Sequence, residues 1–296
     1  MHSRDLIEQY KSYVQDWRRY FHKHPELSNE EFETTKTLAK ELESMGVEVH
    51  VDTERGIGLI GIIHGGKPGK AIALRADIDA LPVHEHNTVD YKSETEGKMH
   101  ACGHDGHMAI LLGAAKMLMS MKDRIEGDVY LAFQPAEETG AGAPDFIKFG
   151  DWYDKIDAIF GGHVWIDLPA GLISVEEGPR MAASSQITIN VKGKQGHGAQ
   201  PHQAIDAIVV ASAIVMNLQT VVSRNVSALD SLVLTIGNIH SGSEWNVIPG
   251  EAKMGGTIRF FDPDQEEYYV ESIRRVVEHT AEAYGATATL EYVKKV

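Results

Sequence analysis

Cysteine is nearly missing from this chain. Cys102 is the only one in 296 residues, so no internal disulfide can form and nothing calls for an oxidising compartment. Positive charge is also scarce, with 28 Lys and Arg against 43 Asp and Glu and a formal charge of −15. That balance argues against nucleic acid, which is held largely by basic side chains on phosphates, although it does not decide what binds in a cleft. The first residues, MHSRDLIEQYKSYVQDW, lack the apolar centre of a signal peptide. No run approaches the ~18 apolar residues of a membrane helix, so the expectation is a cytoplasmic protein without a membrane partner. Low-complexity tracts and short repeats are absent too. What remains, 43% hydrophobic and 24% charged residues, matches an ordinary globular chain. Its length leaves room for two domains of roughly 100–200 residues.

Against this background one segment stands out. His100-Ala-Cys102-Gly-His104-Asp-Gly-His107 gathers three imidazoles and the lone thiol, the ligand types that borderline-soft divalent metals prefer. Glu137 and Glu138 in FQPAEE and His163 in FGGHVW offer further donors at long spacing. A structural zinc finger needs two close Cys or His pairs, and no second pair exists, so the pattern indicates a catalytic metal centre. The competing readings are a buried free thiol, or Cys102 as nucleophile with His104 as its base. Glu137 and Glu138 can also be a solvated acidic pair, and His163 a core histidine. Adjacent residues cannot point the same way from an extended backbone, so a division of labour between the two glutamates is expected. His100 and His107 are read as supporting, and His202 stays open. Asp77 and Asp79, two apart at a strand end, either orient a ligating histidine or cap the strand.

Periodicity places these residues. Ser28 and Glu31 form a capping box before a helical stripe of Phe32, Leu38, Ala39, Leu42 and Met45 that ends at Gly46. Strands are predicted at 48–52, 58–63, 71–76, 127–134 and 156–161. A helix carrying Met108, Leu111, Leu112, Ala115, Leu118 and Met119 starts at Asp105 or Gly106, with the metal cluster in the loop before it. Glu137, Glu138 and His163 then follow strand C-termini, where open α/β sheets bind ligands. From Gly178-Pro179 the pattern changes to strand 184–191, helix 204–222, strands 231–240 and 251–261, helix 264–284 and strand 287–294. That β-α-β-β-α-β order is the ferredoxin-like unit. The predicted fold is thus α/β: a mostly parallel sheet flanked by helices over residues 1–181, and a ferredoxin-like domain over 182–296.

HACGHDGH, ALRADIDALPV, FQPAEE, FGGH and GKQGHGAQPH, taken together and in this order, resemble the hippurate hydrolase and aminoacylase type of metal-dependent amidohydrolase. The likeness runs from residues 18–31 to 256–261. It implies a catalytic domain with two divalent metals, manganese or zinc first and cobalt or nickel next, and a smaller lid domain through which two copies dimerise. Carried over by position, it implies Cys102, His104, Glu138 and His163 as ligands and Glu137 as general base. His197 becomes a lid histidine reaching an active site, that of the partner subunit, and Asn246 and Arg259 become the grip on the substrate's carboxylate. From the residues alone, His197 is an exposed loop histidine and Arg259 a surface salt-bridge partner. The implied reaction is hydrolysis of the amide of a small N-acyl amino acid or related conjugate. The family closes its metal site with a further histidine in a segment returning after the lid, and this chain ends at Lys294-Lys295-Val296. The alternative expectation is therefore a truncated, non-catalytic homodimeric relative lacking a complete metal site.

Overall fold

A computed structural model describes residues 3–140 and 142–295. The chain divides into two compact units, Met1–Ile173 and Ser174–Val296, where the sequence places the boundary near residue 181.

The first unit is built from α1 (Ser3–Lys23), α2 (Phe32–Ser44), β1 (Glu48–Val51), β2 (Leu59–His64), β3 (Ile72–Asp77), α3 (His104–Met119), β4 (Asp128–Gln134), the short helices α4 (Gly142–Phe146) and α5 (Trp152–Lys155), and β5 (Ala158–Gly161). Its sheet runs in the order β1-β2-β4-β3-β5. β3 pairs in parallel with β4 and β5. β1 and β2 are joined by a short turn, which permits only antiparallel pairing, and they extend the sheet antiparallel at the β4 edge. The sheet is accordingly mixed, its parallel part confined to the three strands whose ends carry the candidate site. One face packs Leu59, Ile63 and Leu131 against Leu38 and Leu42 of α2 and Met108 and Leu112 of α3. The other face packs Ile60, Ala73 and Tyr130 against Phe146 and Trp152.

Two local expectations change. α3 begins at His104, not at Asp105 or Gly106, because Gly103 takes a left-handed φ of 89° and turns the chain into the helix one residue early. The capping box before α2 does not form. Glu31 makes no side-chain cap, and Glu26 supplies one instead, accepting from the N–H groups of Glu33 and Thr34 at 3.2 and 2.7 Å. Ser28 and Glu31 turn inward.

The second unit contains β6 (Ala183–Lys192), β7 (Gly196–His197), α6 (Ala207–Thr220), β8 (Leu232–Ser241), β9 (Val247–Ile248), β10 (Glu251–Phe260), α7 (Glu266–Ala283) and β11 (Thr287–Lys294). Its four-stranded sheet has the order β11-β6-β10-β8, antiparallel throughout. β-α-β-β-α-β therefore holds, with β7 and β9 as an additional small ribbon. Asp206 caps α6 by accepting from Ile208 and Val209 N–H, so the helix starts later than residue 204. The 19-residue stretch Ala207–Asn225 is, by length and composition, long and apolar enough to cross a membrane, which corrects the expectation that no such run exists. Scattered uncharged polar residues such as Ser212 and Asn217 interrupt the run without lowering its mean hydropathy much. One face of the stretch, with Val210, Ile214, Leu218 and Val221, is buried in the core of this unit against Ile187, Met254, Ile258 and Ile273.

Candidate metal centre

The C-terminal ends of β3, β4 and β5 lie side by side because those strands are parallel neighbours. Asp77 ends β3, and Asp79 follows two residues later. After β4, Pro135 leads into Ala136, a non-glycine residue in the left-handed region at φ 54°, ψ 40°. Such a conformation costs on the order of 1–3 kcal/mol and persists only where neighbours hold it. A single 3-10 turn, Glu137–Thr139, follows. β5 ends at Gly161, and Gly162 and His163 follow. Opposite them, Gly103 starts α3 with Cys102 just outside the helix and His104 in its first turn.

His104 is buried and fixed through one nitrogen. Its Nδ1 lies 2.8 Å from the Asp79 carbonyl and 3.2 Å from the Asp79 carboxylate, so Nδ1 carries the proton and donates it. Nε2 then faces Asp77 at 3.6 Å, Glu138 at 3.9 Å and Glu137 at 4.0 Å. The expectation that the adjacent glutamates diverge is corrected here. The backbone at Ala136 and Glu137 is not extended, and the left-handed residue followed by a tight turn sends both carboxylates toward one imidazole. Cys102 Sγ stands 3.5 Å from His163 Nε2, while His163 Nδ1 donates to the Val164 carbonyl at 2.5 Å.

Asp79 is the hub. Its backbone carbonyl takes the His104 proton, and its carboxylate accepts from Ser28 Oγ at 2.6 Å and from the Glu138 N–H at 3.0 Å. His107 plays a parallel part. Its Nδ1 donates to Asp77 at 2.6 Å, and its Nε2 accepts the Val164 N–H at 2.9 Å. Both ring nitrogens are thus engaged, and His107 holds the backbone that carries His163. Gly103 must be glycine for the same packing, since a Cβ there would lie 2.4 Å from Val164 Cγ2. His100 is buried, and neither of its ring nitrogens has a partner among the described residues.

Electrostatics follow from burial and this network. Burial raises the Glu137 carboxyl, and the neighbouring charge of Glu138 adds to the effect. For Asp77 and Asp79 burial also pushes upward, but His107 and Arg75 beside the first, and His104 and Ser28 beside the second, outweigh it and hold both low. Burial pushes His104 down; Asp79, Cys102 and the Asp77 charge reverse that and raise it to about 11.

The donor chemistry fits a divalent metal. Within Cys102, His104 and His163, and again within His104, Glu137 and Glu138, one ligand atom from each residue lies within 4.8 Å of the others. Donors bound about 2.0–2.3 Å from a common zinc-like ion stand at roughly such separations. Among the described residues His104 Nε2 and Glu138 Oε1 are buried without hydrogen-bond partners, and an imidazole nitrogen and a carboxylate oxygen left unpaired side by side suit a cation that takes the place of the imidazole proton. Asp77, His104 and His107 also bring one donor atom each this close together, but the bonds of His107 to Asp77 and Val164 already account for its nitrogens.

The remaining predicted residues belong to the second unit. The β7–β9 ribbon pairs His197 with Val247 and brings it beside Asn246, whose carbonyl accepts the Gly198 N–H at 2.8 Å. His197 is exposed, and its Nδ1 accepts the Ala199 N–H at 3.1 Å. Arg259 lies on β10, half-buried, with its guanidinium donating to Thr257 Oγ1 and to the Ile258 carbonyl. Sequence reasoning missed Ser28 and Glu31 as parts of the first unit's site. It also missed Ala136, because no residue type marks a left-handed alanine.

The profile of peptidase family M20/M25/M40 matches residues 73–293. The chain is 41% identical to "Thermostable carboxypeptidase 2" of Saccharolobus solfataricus, over 99% of this chain and 76% of that protein. It is 40% identical to "N-acyl-L-amino acid amidohydrolase" of Geobacillus stearothermophilus, over 95% of this chain and 76% of that protein. A Bacillus subtilis crystal structure described as a dinuclear metal binding peptidase from the M20 family superposes with a TM-score of 0.82 at 38% identity, covering 98% of this chain and 75% of that one. A profile spanning most of the chain, relatives above 30% identity and a shared fold agree: the chain belongs to peptidase family M20/M25/M40, a family of hydrolases.

Proposed function

We propose that this protein hydrolyses the amide bond of N-acyl amino acids or related small conjugates with the help of two divalent metal ions. The observation that carries this reading is the facing pair of buried, unpartnered atoms, His104 Nε2 and Glu138 Oε1, 3.9 Å apart beside the Cys102–His163 pair. Cys102, His104, Glu138 and His163 are the proposed ligands, with manganese or zinc the first choice and cobalt or nickel also suited to so mixed a donor set. When bound, the metals would lower the pKa of water and draw charge from the substrate carbonyl.

The chain's own residues do the rest. Glu137 takes the proton of the attacking water and passes it to the leaving nitrogen; its raised affinity for a proton suits that exchange. Asp79 keeps His104 in the tautomer whose Nε2 is free, and His107 holds the loop of His163. In the same reading His197 donates to the oxyanion developing in the partner subunit's site, and Arg259 with Asn246 binds the substrate's carboxylate. A planar guanidinium suits that carboxylate because it meets two oxygens at once. The relatives named for carboxypeptidase and acylase activity share this chemistry, since both cleave an amide next to a free α-carboxylate. The second unit serves as lid and as the dimer contact.

The test is release of free amino acid from N-acetyl and N-benzoyl amino acids, abolished by a chelator and restored by manganese or zinc. Activity that persists after metal stripping but disappears on thiol alkylation would move the chemistry to Cys102 as nucleophile.

A further inference from the structure

Ala136 is the residue that makes Glu137 and Glu138 converge, and it holds a conformation alanine rarely adopts. Three contacts fix the carbonyl side of this turn. Thr139 Oγ1 and the Gly142 N–H both donate to the Ala136 carbonyl, at 3.0 and 3.2 Å. Gly142 also lets the Pro135 carbonyl approach so closely that a Cβ there would sit 1.9 Å from it. The N–H of Ala136 is held by one side chain only. Glu31, 105 residues earlier, accepts it through Oε1 at 2.7 Å.

Glu31 is an expensive way to satisfy one amide. The residue is fully buried, and its second oxygen, Oε2, has no partner among the described residues. A neutral acceptor would fill the same role at lower desolvation cost. The next inward-turned residue of the same segment, Ser28, bonds Asp79, which in turn holds the Glu138 N–H. The segment itself is tied down by the Ala80 N–H on the Glu26 carbonyl at 2.8 Å. Two residues that would ordinarily cap α2 instead brace the two ends of the Ala136–Glu138 turn.

We infer that Glu31 is a positioning residue for the hydrolytic site, its carboxyl oxygen holding the Ala136 amide so that the left-handed turn presents Glu137 and Glu138 together. It touches neither substrate nor the proposed metals and acts through the backbone. This inference rests on the proposed roles of Glu137 and Glu138.

The test uses Glu31→Gln and Glu31→Asp in the full chain, read by steady-state kinetics and by amide hydrogen exchange of the peptide spanning residues 135–140. Glutamine keeps an oxygen at the same reach, and burial already pushes the Glu31 carboxyl up to about 7, so Glu31→Gln keeps kcat within about threefold and retains protection of the Ala136 amide. Glu31→Asp withdraws the oxygen by one methylene. Its kcat falls about tenfold to a hundredfold with KM nearly unchanged, because a small misplacement of the reacting groups is costly. Ala136 exchange accelerates while the β4 amides stay protected. Equal loss in both variants, or wild-type kcat and protection in Glu31→Asp, overturns the inference. Glu137→Gln separates the two readings: if it remains active while Glu31→Asp still loosens residues 135–140, the assignment of Glu137 fails and the brace stands.

Discussion

Glu137 stands where the chemistry of this protein is most exposed to a single substitution. Glu137→Gln leaves size nearly intact but removes the proposed base. The expected result is a fall in kcat of about 10²- to 10⁴-fold, with KM and metal content unchanged; loss of bound metal instead would make Glu137 a ligand. The Asp79 carboxylate holds the Glu138 N–H and stands 3.2 Å from His104 Nδ1, so Asp79→Ala should weaken metal affinity by about 10- to 100-fold, measured by competition with a chromophoric chelator. Glu31 adds a pH dependence. Burial pushes its carboxyl from the usual 4.5 up to about 7, so the folded protein holds this proton more tightly than the unfolded chain. The resulting stability is fully present below about pH 4.5 and is lost as pH rises through 7. It amounts to about 3 kcal/mol at 1.36 kcal/mol per unit. Urea midpoints of wild type and Glu31→Gln should therefore diverge between pH 5 and 8, with the wild type losing ground; parallel profiles would refute this.

The two helices next to the site begin in different ways, and each start has a consequence. α3 opens through left-handed Gly103, which lies against Val164 on the strand-end loop of His163. Gly103→Ala would meet both a strained φ and a clash, costing about 1–3 kcal/mol. Because Val164 N–H is the partner of His107 Nε2, the same change should loosen His163 and reduce metal affinity as well as melting temperature. α2 is capped from outside by Glu26 on the N–H groups of Glu33 and Thr34. Glu26→Ala should cost about 1 kcal/mol of stability and leave kcat unaltered, since Glu26 bonds the site only through its backbone carbonyl. A matching loss of kcat would show that the position of the whole segment, and not only the Glu31 side chain, governs the turn at Ala136.

The molecule carries separate hydrophobic cores in its two units, and all four proposed metal ligands fall in the first. Metal binding should therefore stabilise the first unit selectively, by about 3 kcal/mol when free metal exceeds Kd a hundredfold. Calorimetry with and without chelator should move the transition that carries the first unit and leave the other in place. Ile214→Ala, in the buried face of α6, should do the reverse. It should lower the second unit's stability by about 2–5 kcal/mol without changing metal affinity. If both transitions moved together under either perturbation, the units would not be the independent folding bodies that their separate cores indicate.

The donor types, their order along the chain and the β-α-β-β-α-β run were legible in the residues, because thiol and imidazole chemistry belongs to the residue and periodicity to the local backbone. The placement of Glu137, Glu138 and His163 beyond strand ends was legible for the same reason. Ser28 and Glu31 show where that reading stops. Their spacing encodes a capping box, yet in the folded chain Asp79 and Ala136 compete for the same oxygens and win, and nothing local announces partners 51 and 105 residues away. The meeting of two adjacent carboxylates on one imidazole depends on a left-handed alanine that no propensity foretells. The antiparallel edge of β1 and β2 depends on which strands pair, another long-range choice. Local covalent chemistry chose the donor types; convergence of distant backbone, stabilised by burial, chose how they face one another.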